Sequence, residues 1–197
     1  MMGYTVGMAA PVAEKLLTVQ EFFRLPDPIQ GGKMELVAGR VVCHMPVSGG
    51  HGERAAIITL ETLAFVRSLA LGKVFVELGY LFSRNPDEVR APDVSFVSNA
   101  MLPPGGMPDE GWAPCVPTLA VEVVSPDDSD YDVSTKVAFY LAHGVQRVWV
   151  VRKRGETVAV FRPGGGAHVF GISDNLTSDD AGFEVDGFDL PLSTIFA

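Results

Sequence analysis

Asp93, Glu122 and Lys136 combine residue types and placements that can do chemistry. Asp93 stands in VRAPDVSFV, at the mouth of an apolar run. Four other Pro-Asp pairs occur, Pro26-Asp27, Pro86-Asp87, Pro108-Asp109 and Pro126-Asp127. Those sit among Gly, Pro, Asn and further acids, where turns are expected; only Asp93 leads straight into a strand-like segment. Glu122 interrupts LAVEVV. A strand that apolar is expected to be central and covered on both faces, and a lone carboxylate inside it is costly unless paired or bound to a cation. Lys136 lies in the segment that follows, with Tyr140 one helical turn on and His143 near the same face.

Side chains alternate along a strand. In DVSFV this places Asp93, Ser95 and Val97 on one face, and in LAVEVV it places Ala120, Glu122 and Val124 on one face. If the two strands are neighbours, the acids converge. Two such carboxylates suit Mg²⁺, which keeps waters and a substrate phosphate in its remaining positions. There it polarises a phosphoryl oxygen and acidifies water. An ammonium beside them stabilises developing charge on phosphorus or orients the attacking water; it also serves as a plain counter-ion. Each residue has an ordinary explanation: Glu122 as a salt-bridged core acid, Asp93 as a strand-entry acid at a turn, Lys136 as a solvated helix charge. The coincidence of all three placements favours a site.

The elements that must position them read as follows. Residues 1–17 form a flexible lead-in, and 18–197 a single domain. TVQEFFRL opens a short helix, with Thr18 and Glu21 spaced as a capping box. KMELVAGRVVCHMP reads as two strands joined at Ala38-Gly39, an N-terminal β-hairpin. His51, Ala55, Ile58, Thr62, Phe65 and Leu69 recur at helical spacing, and Gly72 is a natural stop. KVFVELGYLFS is a strand candidate. NAMLPPGGMPDEGWAP is a long loop, which marks it as mobile or functional. PTLAVEVVSP is a strong strand, DVSTKVAFYLAHG a helix closing at Gly144, and VQRVWVVRKRGETVAVFRP two strands around a turn. RPGGGAH lacks the Lys-Ser/Thr of a phosphate loop and reads as an ordinary turn. The apolar tail FDLPLSTIF is expected to dock on the sheet. The order predicts an α/β or α+β domain, a mixed central sheet flanked by helices.

Bulk properties narrow the function classes. The chain has 197 residues and a formal charge of −9. That length supports one sizeable core. The charge gives no general pull toward nucleic acid, so any DNA contact must come from local cations: Arg152, Lys153 and Arg154 at a turn, and Arg84 with Arg90. No apolar run reaches membrane-spanning length and no signal peptide is read; the expected location is the cytoplasm, with no membrane partner. Cys43 and Cys115 fit free thiols in a reducing compartment. His44 and His168 show no metal-ligand spacing with each other or with the cysteines, which argues against zinc.

APDVSFV, followed by LAVEVVSPDDSDYDVSTKVAFYLAHGVQRVWVV, resembles the restriction-endonuclease-like proteins of the PD-(D/E)XK superfamily. It is similar in particular to a large bacterial endonuclease family formerly known only as a domain of unknown function. The likeness runs from MELVAGRVV to DLPLSTIF. It implies a restriction-endonuclease-like fold, a divalent metal (Mg²⁺, with Mn²⁺ able to substitute) held by Asp93 and Glu122, and phosphodiester hydrolysis of nucleic acid, with DNA the expected substrate. The superfamily's usual lysine, two residues past the second acid, is replaced by Val124; Lys136 on the following helix takes its part, a relocation normal within this family. Glu35, in MELVAGRVV, matches a recurrent acid that adds a metal ligand or holds the lysine, or else is a surface acid. His51 opens the long helix on its apolar stripe and should point inward, to meet the scissile phosphate or water or to be a hydrogen-bonded core histidine. Cutting both strands favours a homodimer. A second class of function is a binding or assembly module with little catalysis; a third is a hydrolase of small phosphorylated substrates.

Overall fold

The computed structural model describes residues 15–28, 31–126 and 128–197. Most of the expected lead-in lies outside the described residues. Its last residues are anchored: Leu17 N donates to Gly39 O at 2.8 Å. Helix α1 (Val19–Phe23) is closed by the predicted capping box, Thr18 N donating to Glu21 Oε2 at 2.9 Å. Strands β1 (Lys33–Val37) and β2 (Arg40–His44) form the predicted hairpin. Its two turn residues, Ala38 and Gly39, both have positive φ, 48° and 75°. That is the backbone of the tight turn whose twist matches its strands.

Two of the three sheets among the described residues position the site. The hairpin joins β5 (Glu88–Arg90) and β4 (Tyr80–Ser83) in the order β2-β1-β5-β4. The larger sheet brings in β3 (Gly72–Val76), β6 (Val94–Ser98), β7 (Leu119–Val123), β8 (Arg147–Arg152), β9 (Thr157–Phe161) and β10 (Ala167–Phe170). Their order is β10-β9-β8-β7-β6-β3. All its pairs are antiparallel except β7–β8. A parallel pair needs a crossover, and α3 (Asp130–Ala142) supplies it. The sheet is therefore mixed, as expected.

All five residues of β7 are buried. Leu119, Val121 and Val123 face α2 (Gly49–Ser68), through Ala55, Ile58 and Val66. Ala120, with Val148 and Val150, faces Val133, Val137 and Tyr140 of α3. The buried stripe of α2 is His51, Ala55, Ile58, Thr62 and Val66; the expected Leu69 is its exposed cap, because the helix ends at Ser68 before Gly72 is reached. The chain closes with β11 (Asn175–Thr177), α4 (Ser178–Ala181), β12 (Asp189–Pro191) and α5 (Leu192–Ile195). Leu190, Leu192, Ile195 and Phe196 pack into the α2 side of the core, so the apolar tail docks as predicted. No helix among the described residues is long and apolar enough to cross a membrane.

KVFVELGYLFS is not one strand. It breaks at Glu77–Gly79 into β3 and β4, which enter different sheets. Gly79 allows this, since a Cβ there would meet the Trp112 ring at 2.5 Å. Trp112 stacks on Phe22 at 5.1 Å, and Ala113 bridges Tyr80. The long loop is thus pinned at its far end, by an aromatic the sequence placed among prolines and glycines. Gly79→Ala is expected to lower stability by about 1–3 kcal/mol, the usual cost of overpacking. A melting temperature equal to the parent's would show that this clamp contributes nothing.

Candidate active site

Asp93 is the residue before β6. Because Val94 pairs with Val121, Asp93 comes alongside the Glu122–Val123 segment of β7. Its Oδ2 accepts from Val123 N at 2.7 Å, and Lys33 Nζ, from β1, donates to Oδ1 at 2.8 Å. His51 Nε2 lies 3.2 Å from Oδ2. A carboxylate only accepts, so Nε2 carries the hydrogen, and Nδ1 of this 4%-exposed histidine has no partner.

Glu122 projects toward α3. Lys136 and Tyr140, one turn apart, both reach it: Nζ to Oε2 at 2.9 Å, and the hydroxyl to Oε1 at 2.7 Å. Asp93, Glu122, Lys33, Lys136 and His51 line one cavity of about 360 Å³. Three of the predicted residues, Asp93, Glu122 and Lys136, therefore converge, and His51 joins them.

Glu35 lies just behind. It is fully buried, accepting from Ala91 N at 2.9 Å and pairing with His44 Nε2 at 3.0 Å. It shares a neighbouring cavity with Lys136 rather than the one lined by Asp93 and Glu122. Other expectations change. His143 does not enter the site, since it stacks on Phe139 at 4.0 Å beyond the end of α3. Arg90 is no free surface cation: it is 8% exposed, pairs with Glu88 at 2.6 Å and lies over the Phe139 ring. Arg84 is paired with Asp87. Both cysteines are free thiols.

Sequence reasoning passed over Lys33 and weighed His44 only as a zinc ligand. The available signal was period two: Lys33 and Glu35 share a face of β1, and Lys33 pairs directly with His44 across the hairpin. Neither fact reveals that this face meets Asp93.

The electrostatics follow from burial opposed by pairing. Burial alone would raise the Asp93 carboxyl; the His51 hydrogen bond and the Lys33 ammonium hold it well below the usual range. Burial would lower Lys136, but Glu122, Glu35 and Asp93 push it up. Lys33 is raised against burial by Glu122 and Asp93. Burial would also raise Glu35, yet the His44 hydrogen bond, Lys136, Ala91 N–H and Lys33 bring it down to about 2. Its ordinary value is 4.5, so folding favours the ionised form. The stability it contributes is on the order of 3 kcal/mol. It is present above pH 4.5 and lost as pH falls toward 2. Glu35→Gln should therefore destabilise the protein at pH 7 and bring it level with the parent near pH 2, read by urea unfolding at both. A gap that stays constant with pH would refute this.

The donor set fits a hard divalent cation. An ionised carboxylate offers about four acceptor positions. Asp93 uses three and Glu122 two, leaving lone pairs on both. Among the described residues no three His, Cys, Asp or Glu side chains form a ready cage. Mg²⁺ needs none, being held by one or two carboxylates plus water and phosphate.

Comparison with known proteins bears on the fold and the family. No curated protein matches the chain. A crystal structure of "a putative nuclease belonging to DUF820" from Anabaena variabilis is similar, at 24% identity, covering 91% of this chain and 97% of that one with a TM-score of 0.72; the likeness shows a shared fold. The family described as "Uma2: Putative restriction endonuclease" matches residues 19–182. The two carboxylates on adjacent strands, the mixed sheet around them and a family match over most of its length make one case: the chain belongs to the Uma2 family, in the restriction-endonuclease-like PD-(D/E)XK superfamily.

Proposed function

We propose that the chain is a divalent-metal-dependent endonuclease that hydrolyses phosphodiester bonds of DNA. The observation that carries this reading is the meeting of Asp93, Glu122 and Lys136 in one cavity. Asp93 and Glu122 would hold the metal. Bound Mg²⁺, or Mn²⁺ in its place, supplies Lewis-acid stabilisation of phosphoryl charge and acidifies a water.

The protein's own groups do the rest. Lys136, kept as an ammonium by the acids around it, stands where negative charge builds up on phosphorus and stabilises it. Lys33 and Val123 N–H fix the Asp93 carboxylate. Tyr140, buried and raised well above its ordinary pKa by burial and by Glu122, stays a neutral donor and fixes the Glu122 carboxylate. His51 steadies Asp93 through Nε2, and its unpartnered Nδ1 can accept from an incoming water. Glu35 sets the field around Lys136. Arg152, Lys153 and Arg154 border an adjoining cavity and are the cations for the DNA backbone. A homodimer would bring two such sites to the two strands.

A second reading rests on a specific feature: every oxygen of Asp93 and Glu122 already has a protein partner. Such a cluster can hold a binding module together without turnover. Calorimetric titration with Mg²⁺ and Mn²⁺, alongside plasmid nicking, separates the two. The endonuclease binds metal and nicks; a protein that does neither is the module.

A further inference from the structure

Next to the carboxylate cavity is a larger one, of about 660 Å³. Ser48, His51, Ser125, Pro126 and Asp128 border both, so the two are continuous. Among the described residues the larger cavity collects four cations, Arg54, Arg152, Lys153 and Arg154, against two acids, Asp128 and Asp130. That is a local excess of positive charge in a chain of net charge −9. Among the described residues Arg152 is paired only with the 90%-exposed Asp130 side chain, a partner that a phosphate can replace. Arg54 and Arg154 make no hydrogen bond or ion pair among the described residues.

Into this cavity opens the start of the 20-residue α2. The first N–H groups of a helix have no partner inside it; Ser48 caps that of His51, which leaves those of Gly49 and Gly50, and the helix dipole favours an anion there. Gly49 and Gly50 place no side chain over those groups. A Cβ on Gly49 would touch nothing, and one on Gly50 would meet only the Arg54 guanidinium, at 3.3 Å. Arg54 is thus folded back over the helix end. His51 supplies an independent pointer to a ligand: it is buried, lines the same cavity and leaves Nδ1 unpartnered, and with the hydrogen on Nε2 that nitrogen accepts, so it calls for a hydrogen-bearing group such as a water bound to the phosphate.

We propose that the N-terminus of α2, with Arg54 folded over it and Arg154 across the cavity, seats a DNA phosphate neighbouring the one that is cut. The inference rests on the endonuclease reading. It adds that the substrate is a strand with consecutive phosphates rather than a small phosphoester. Only a strand can occupy the carboxylates and the helix end together.

The 197-residue chain and its variants are tested by fluorescence anisotropy on short labelled DNA and matched RNA, in EDTA, over a range of salt. Arg54→Ala should weaken DNA binding about tenfold and reduce the salt slope by about one. Arg67→Ala removes the same charge at the far end of α2, roughly 20 Å away, and should bind as the parent does. With Mn²⁺, Arg54→Ala should lose at least about fivefold more cleavage on DNA than on bis(4-nitrophenyl) phosphate, a diester with a single phosphorus. Equal effects of the two arginine variants would reduce the seat to net charge and overturn it. So would equal losses on the two substrates, or an Arg54 effect confined to RNA. A parent that binds DNA through Arg54 yet cuts nothing keeps the seat and removes the endonuclease. A parent that cuts, and binds equally well without Arg54, does the reverse.

Discussion

Asp93→Asn is expected to lower metal-dependent cleavage by about 10³-fold or more, since it removes half of the charge that holds the metal and so the metal's electrostatic contribution. Asparagine keeps the shape. Its carbonyl oxygen can still accept from Val123 N–H, which the native carboxylate does at 2.7 Å. Its amide nitrogen then faces Lys33, where Oδ1 had accepted at 2.8 Å. The charge lost strands Lys33, whose pair with Asp93 is as buried as that of Lys136 with Glu122, so the cost in stability is about 3–5 kcal/mol, lessened by the Glu122 charge that also acts on Lys33. Calorimetry should show loss of divalent-metal binding while circular dichroism shows the fold retained. Cleavage by this variant at the parent's rate would remove Asp93 from the site, whatever the metal titration gives.

How much of this was legible in the sequence depends on how local each cause is. Glu122 is legible because a carboxylate inside LAVEVV contradicts its surroundings, and strand alternation tells which face it takes. The α3 face is legible from the spacing of Lys136 and Tyr140, and both do reach Glu122. The hairpin and both capping residues of α1 follow from short-range turn and cap chemistry. Partners distant in the chain are not legible. Lys33 meets Asp93 only because the small sheet packs against the end of the large one, and no periodicity encodes that. Arg90 looked like a free cation because sequence shows a charge without showing Glu88 and Phe139 around it. The break between β3 and β4 was signalled by Gly79, but its cause is Trp112, far along the chain. His143 failed because helical spacing was carried past the last turn of α3.

Lys136→Met separates structure from catalysis. The Nζ group is 2.9 Å from Glu122 Oε2, in a pair whose side chains are 17% and 8% exposed. Removing one partner of a buried pair strands the other, at about 3–5 kcal/mol. The double variant Lys136→Met/Glu122→Gln removes both charges and keeps an acceptor for Tyr140. It should recover most of that loss. Cleavage should not recover. The single change is expected to cost about 10²–10³-fold, as for other lost donors to transition-state charge, and the double at least as much. Because Glu122, Glu35 and Asp93 raise Lys136 despite its burial, the ammonium persists through any ordinary assay pH, and the stability it gives is lost only as pH climbs beyond the normal lysine range. Lys136 therefore acts by charge and not as a proton acceptor, and the rate–pH profile of the parent should show no lysine limb near neutrality. Because the double variant also lacks the Glu122 carboxylate, its stability tests the ion pair and the single variant tests catalysis: parent-like cleavage by Lys136→Met would make Lys136 only the counter-ion of Glu122, and the charge stabiliser would have to be sought in Lys33, the other ammonium in the cavity.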